Sequence, residues 1–142
     1  MSEHNFNLYA NLLSSDLIKQ STLAIETSDG LFYTWQDLHR ASAMMANYLE
    51  SLNIAKGSRI AVQVDKSVEA VILYLATLRA GYVFLPLNTA YQSAELDYFI
   101  RNAEPSVVVC TSKNFSWLSK LSFTAGVEYV FTLNDDRSGS LL

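Results

Sequence analysis

The stretch RIAVQVDKSVEAVILYLATLRAGYVFLPLN, Arg59 to Asn88, decides the fold. Arg59 to Val64 is a short β-branched run that reads as a strand. Ser67 then stands as the N-cap of a helix reaching Ala80, apolar nearly all round, with Glu69, Thr77 and Arg79 as its clear polar interruptions. Such a helix is mostly buried, and Gly81 is placed to end it. Tyr82 to Leu87 reads as a second strand. Pro86 cannot donate to a ladder, so it belongs at that strand's end or on a sheet edge. Strand, helix and strand in this order form a β-α-β unit, which predicts a parallel sheet.

The same alternation continues downstream. Ser93 is placed to cap a helix whose Leu96, Phe99, Ile100 and Ala103 line one side until Pro105 forbids continuation. Val107 to Cys110 is a third strand, Asn114 to Leu121 a weaker helix, and Val127 to Leu133 a last strand. The tail from Asn134 has the polar, glycine-containing chemistry of a loop. Upstream, a short helix is expected around Leu8 to Leu13. Leu23 to Thr27 and Leu31 to Tyr33, joined by Ser28-Asp29-Gly30, read as a hairpin, because Asp-Gly supplies the positive φ angles of tight turns. Thr34 then caps a helix, with Asp37 completing a capping box. Leu38, Ala41, Met45, Tyr48, Leu49 and Leu52 fall on one face of that helix, which ends near Asn53. The expected fold is α/β: a small, doubly wound, mainly parallel sheet with flanking helices and an N-terminal hairpin, the hairpin and long helix lying at its margin.

At 142 residues the chain matches a single domain of about 100 to 150 residues and leaves no room for a complete second one. Half of it is hydrophobic, which makes a packed globule of it. Ten basic residues stand against 14 acidic ones, a net charge of −4 with no basic run, so nucleic acid is not an expected partner. One cysteine and two separated histidines make neither an intrachain disulfide nor a zinc site of the usual ligand count. The opening MSEHNFNLYANLL lacks a signal peptide's basic start and apolar core, and the longest apolar run, Ala70 to Leu78, stops at Arg79. A soluble, cytoplasmic protein without a membrane span is expected.

The five glycines lie too far apart for a dinucleotide fingerprint or a phosphate-cradling loop. Open parallel sheets bind ligands beyond the carboxyl ends of their strands, which directs attention to Asp65-Lys66-Ser67, Asn88-Thr89-Ala90-Tyr91 and Thr111-Ser112-Lys113. Lys66 and Lys113, each near a helix start, are placed to assist an anion there; solvated lysines beside ordinary caps are the plainer reading. Cys110 follows three valines on a buried strand and reads as a small hydrophobe. His39 and His4 have no visible acid or nucleophile beside them and read as surface or boundary residues. Met44 and Met45 with Tyr48 could form a stripe for a partner helix but at helical spacing read as core filling, and Trp35 and Trp117 could stack a ring, with Trp35 read as a cover over the core edge.

Two segments carry a resemblance. FYTWQDL, Phe32 to Leu38, and LRAGYVFLPLN, Leu78 to Asn88, resemble in order and spacing the first two core motifs of the adenylate-forming superfamily of acyl-CoA synthetases, luciferases and peptide-synthetase adenylation domains. The segment SAELDYFIRNAEPSVVVC, Ser93 to Cys110, falls where that family has its opening α/β portion, so the resemblance spans almost the whole chain. Asn88 replaces the aspartate common in peptide-synthetase domains, and Lys66 to Ile100 look most like the malonyl-CoA synthetase branch.

The resemblance implies a parent ligase that activates a carboxylic acid with ATP and Mg2+, releases pyrophosphate and passes the acyl group to coenzyme A. Two steps are needed because a carboxylate is a poor electrophile, while an adenylate carries a good leaving group for thiol attack. The family's Ser/Thr/Gly-rich phosphate loop with its lysine is missing from these residues, and TSKNFSWLSK, Thr111 to Lys120, does not substitute for it. The family's acidic metal-site residue, ribose-binding aspartate and C-terminal catalytic lysine are missing as well. No catalytic, cofactor-binding or metal-binding residue is therefore assigned. The preferred expectation is an N-terminal portion, inactive alone, whose partner is the remainder of the parent chain and which self-associates through apolar surface. The alternative is a free-standing doubly wound module for interaction or small-ligand binding.

Overall fold

The computed structural model describes residues 7–12 and 21–142. His4 and Leu13 lie outside the described residues. The elements, in chain order, are α1 (Leu8–Leu12), β1 (Leu23–Glu26), β2 (Phe32–Thr34), α2 (Trp35–Ser51), β3 (Arg59–Gln63), α3 (Val68–Arg79), β4 (Val83–Pro86), α4 (Ser93–Ala103), β5 (Val107–Cys110), α5 (Phe115–Thr124) and β6 (Tyr129–Thr132). They divide into two compact units, residues 1–53 with 71–81 and residues 54–70 with 82–142.

In the first unit β1 and β2 pair antiparallel in their own two-stranded sheet, with Ile25 opposite Tyr33. Gly30 closes the turn at φ 86°, and its N–H donates to the Thr27 carbonyl. The expected hairpin is therefore present. Thr34 caps α2 as the sequence requires: its Oγ1 accepts from the Asp37 N–H at 3.0 Å, and the Asp37 carboxylate accepts from the Thr34 N–H at 2.9 Å. Those bonds hold the Asp37 carboxyl below its ordinary value. The inward face differs from the expected one. Leu38, Ser42, Ala46 and Leu49 are buried, whereas Met45 is half-buried and Met44 and Tyr48, expected as core filling, are exposed. Leu38 and Leu49 are shared with the expected face, while Ser42 and Ala46 take the inward positions in place of Ala41, Met45 and Tyr48, one of them polar and both small.

The second unit holds a four-stranded, all-parallel sheet in the order β4-β3-β5-β6. From β3 the chain steps outward to β4, then returns past β3 to build β5 and β6, so the winding direction reverses between β3 and β5. β4 is an edge strand and Pro86 its last residue, which satisfies both positions open to a residue without an N–H. Val107 to Cys110 are buried throughout. Ala61, Val108 and Cys110 pack with Leu96 and Ile100 of α4 and Leu118 of α5, and Trp117 lies half-buried against that cluster.

Helix ends follow local chemistry. The Ser67 hydroxyl accepts from the Ala70 N–H at 3.1 Å at the start of α3. The cap of α4 is Gln92, one residue before the expected Ser93: its backbone N–H donates to the Glu95 carboxylate at 3.1 Å and its carbonyl accepts from Leu96. A glutamate three residues into the helix selects Gln92 over the short hydroxyl. Helix α5 runs three residues beyond the expected Leu121, to Thr124, and β6 is shorter at both ends than the expected strand Val127 to Leu133. No helix among the described residues is long and apolar enough to cross a membrane.

Candidate functional site

The winding reverses between β3 and β5, and the carboxyl ends of strands at such a reversal are where an open α/β sheet usually forms a ligand crevice. Gln63 and Cys110, the last residues of β3 and β5, are register partners there. Gln63 is 1% exposed. Its Nε2 donates to the Asn88 carbonyl at 3.0 Å and the Tyr91 carbonyl at 3.3 Å, and its Oε1 accepts from Asn114 Nδ2 at 3.4 Å. One side chain thus joins the loop after β4 to the N-cap of α5, and the crevice is filled by the chain's own amide.

The expected strand-end residues fall around this point, but their polar groups are engaged internally. Asn88 Oδ1 accepts from the Ala90 N–H at 2.8 Å. The Ser112 N–H donates to Asn134 Oδ1 at 2.9 Å, and Asn134 Nδ2 donates to the hydroxyls of Ser112 and Ser138 at 2.8 and 3.0 Å. Asp65, Lys66 and Lys113 are exposed. Burial pushes the Cys110 thiol up to about 11, leaving it protonated at neutral pH. No group of three or more His, Cys, Asp or Glu side chains able to hold a metal occurs among the described residues.

Gln63 was not among the residues the sequence pointed to. Its signal was a long polar side chain interrupting the apolar run Ile60 to Val64, where burial demands hydrogen-bond partners.

In the first unit His39 is more than a boundary residue. Its Nδ1 lies 2.6 Å from the Tyr9 hydroxyl and 3.2 Å from an Arg79 guanidinium nitrogen, which also donates to the His39 carbonyl at 2.8 Å, the Tyr9 hydroxyl at 3.0 Å and the Ser42 hydroxyl at 3.1 Å. These partners come from α1 and α3, distant in sequence, and so were invisible to local reading. Burial first, and the Arg79 charge second, hold the His39 pKa below its ordinary value.

A doubly wound parallel sheet with an antiparallel hairpin ahead of it defines the fold class. Residues 19–137 match the family model described as AMP-binding enzyme, and the chain belongs to that family. It is similar to MatB from Rhodopseudomonas palustris: the apo structure is 44% identical, superposes with a TM-score of 0.86, and is matched over 95% of this chain and 26% of its own. The ATP-bound structure of MatB gives the same figures. Among curated proteins, nonribosomal peptide synthetase gloA of Glarea lozoyensis is 32% identical over 101 residues, 71% of this chain and 1% of its own length. Phosphinothricin tripeptide synthetase PhsB of Streptomyces viridochromogenes is 29% identical over 84% of this chain and 10% of its own. The chain thus spans only a small part of the proteins it matches.

Proposed function

We propose that these residues are the N-terminal portion of an AMP-forming acid–thiol ligase of the malonyl-CoA synthetase kind, serving as scaffold rather than as catalyst. The likeness to MatB carries this reading, since 44% identity over 95% of the chain exceeds the identity to the peptide synthetases. The described residues do not fit ATP or Mg2+. The crevice at the β3–β5 reversal is filled by Gln63, Ser67 closes the start of α3, and Asn134 occupies the turn leading into α5. Adenylation needs preorganised donors and a metal around the phosphates, and in this reading the remainder of a cytoplasmic parent chain supplies them. The sheet and its loops form the base on which that site is built.

A second reading has its own support. The curated relatives quoted above are peptide synthetases, which favours amino-acid activation by the parent. ATP–pyrophosphate exchange separates the two when the full-length gene product and the 142-residue chain are assayed side by side with malonate and with a panel of amino acids. Malonate-driven exchange by the full-length product, with malonyl-CoA formed on adding coenzyme A and the shorter chain at background, is the expected result. Exchange driven by an amino acid alone would transfer the parent to the peptide-synthetase reading. Exchange by the 142-residue chain above a no-protein control would end the scaffold reading.

A further inference from the structure

Three short segments of the first unit meet at one imidazole. Tyr9 of α1 is 9% exposed, and its ring lies under the Arg79 guanidinium, 4.5 Å from its carbon, and 6.2 Å from the His39 ring. Asn7, just before α1, donates from Nδ2 to the Leu78 carbonyl of α3 at 2.8 Å. Ser42, fully buried one turn along α2 from His39, donates to the His39 carbonyl at 3.1 Å and accepts from Arg79.

Donor and acceptor accounting favours one state of His39. A guanidinium only donates, so the Tyr9 hydroxyl accepts from Arg79, which leaves the hydroxyl's own proton available to His39 Nδ1 at 2.6 Å. With the hydroxyl donating that proton, Nδ1 carries a lone pair and the imidazole is neutral with its proton on Nε2. A proton placed on Nδ1 would point a donor at the Tyr9 hydroxyl and set a second positive charge 3.2 Å from the guanidinium nitrogen. The groups that face the ring are Tyr9 from α1 and Arg79 from α3. Asp37 and Arg40 are neighbours on α2 itself, and no carboxylate pairs with the ring among the described residues.

We propose that Tyr9, His39 and Arg79 form a proton-sensitive latch: with His39 neutral they hold α1 against α2 and α3, and protonation of His39 releases α1. The lowered pKa of the held ring agrees with this geometry. The sign follows from linkage. A released His39 titrates near the ordinary 6.5 while the held one resists the proton, so the latch is at full strength above that value and loses strength as pH falls below it.

Amide hydrogen exchange of residues 8–12, corrected for intrinsic rates, reads the latch directly. From pH 6.5 to 5.5 the opening equilibrium of these amides should rise, by at most about fivefold, the limit set by a free imidazole against a held one that takes up no proton. The amides of β5 should not change. His39→Gln keeps an acceptor for Tyr9 and Arg79 but takes no proton, so its exchange in 8–12 should be flat with pH. A flat wild-type profile, or an equal slope in His39→Gln, overturns the proposal. Should His39→Gln fail to fold, the imidazole 15N shifts of the wild-type protein decide: at pH 7.5 the proton should sit on Nε2, and a proton on Nδ1 overturns the latch.

Discussion

Replacing Gln63 tests the filled crevice most sharply, because this side chain does its work as a donor. In Gln63→Ala two carbonyls, those of Asn88 and Tyr91, lose the N–H groups at 3.0 and 3.3 Å, and a buried amide leaves a void. Each lost bond is worth about 1 kcal/mol net. The 3.4 Å bond from Asn114 adds little. Because Asn88 is exposed, water replaces part of the loss at its carbonyl. The expected cost is about 2–3 kcal/mol, cavity included.

Gln63→Glu preserves the volume and reverses the electrostatics, since a carboxylate only accepts hydrogen bonds and would be aimed at two carbonyl oxygens. At pH 7 that variant should be destabilised by about 3–5 kcal/mol, more than the truncation. Its carboxyl pKa is raised in the folded protein, because protonation restores a donor. The penalty is therefore complete above that raised pKa and eases as pH falls through it toward about 4.3, the unfolded value. Urea unfolding of the three proteins at pH 7 and pH 5 measures both effects. A Glu variant within about 0.5 kcal/mol of wild type at pH 7, or a penalty that does not shrink at pH 5, would refute the donor role of Gln63.

Gly139 has φ 137°, and a Cβ there would lie 2.3 Å from the Thr132 carbonyl oxygen. Gly139→Ala should cost about 1–3 kcal/mol and release the tail that bonds Thr132 through Ser140 and Leu141. An unchanged urea midpoint with a protected Leu141 amide would contradict this. Cys110, moved from 9.0 to about 11 by burial, should resist a thiol reagent in the folded protein up to pH 9 and react stoichiometrically once unfolded in urea. Native labelling at the rate of a short peptide would show that the strand is not closed.

The sequence carried the fold further than the site, for physical reasons visible in particular residues. Strands and helices follow from local periodicity, and β5 agrees at both ends because Val107 to Cys110 are bounded by Pro105-Ser106 and a polar turn. Pro86 at an edge-strand end follows from the missing N–H alone. Local reading failed where the deciding partner was distant or small. Ser42 and Ala46 occupy buried positions of α2 that the apolar spacing assigns to Ala41, Met45 and Tyr48. His39 looked unpartnered because Tyr9 and Arg79 stand 30 and 40 residues away.

Gln63 unites both lessons. A glutamine inside a strand signals that something polar must meet it, yet only the sheet order shows that this occurs where the winding reverses. That is also why the scaffold reading does not rest on motif absence alone. Where an open sheet ordinarily receives a ligand, this chain commits the Gln63 amide, Asn88 Oδ1 and Asn114 Nδ2 to its own hydrogen bonds. A ligand entering there would have to break those bonds before forming its own, so strengthening the crevice and binding in it are opposed demands on the same side chains.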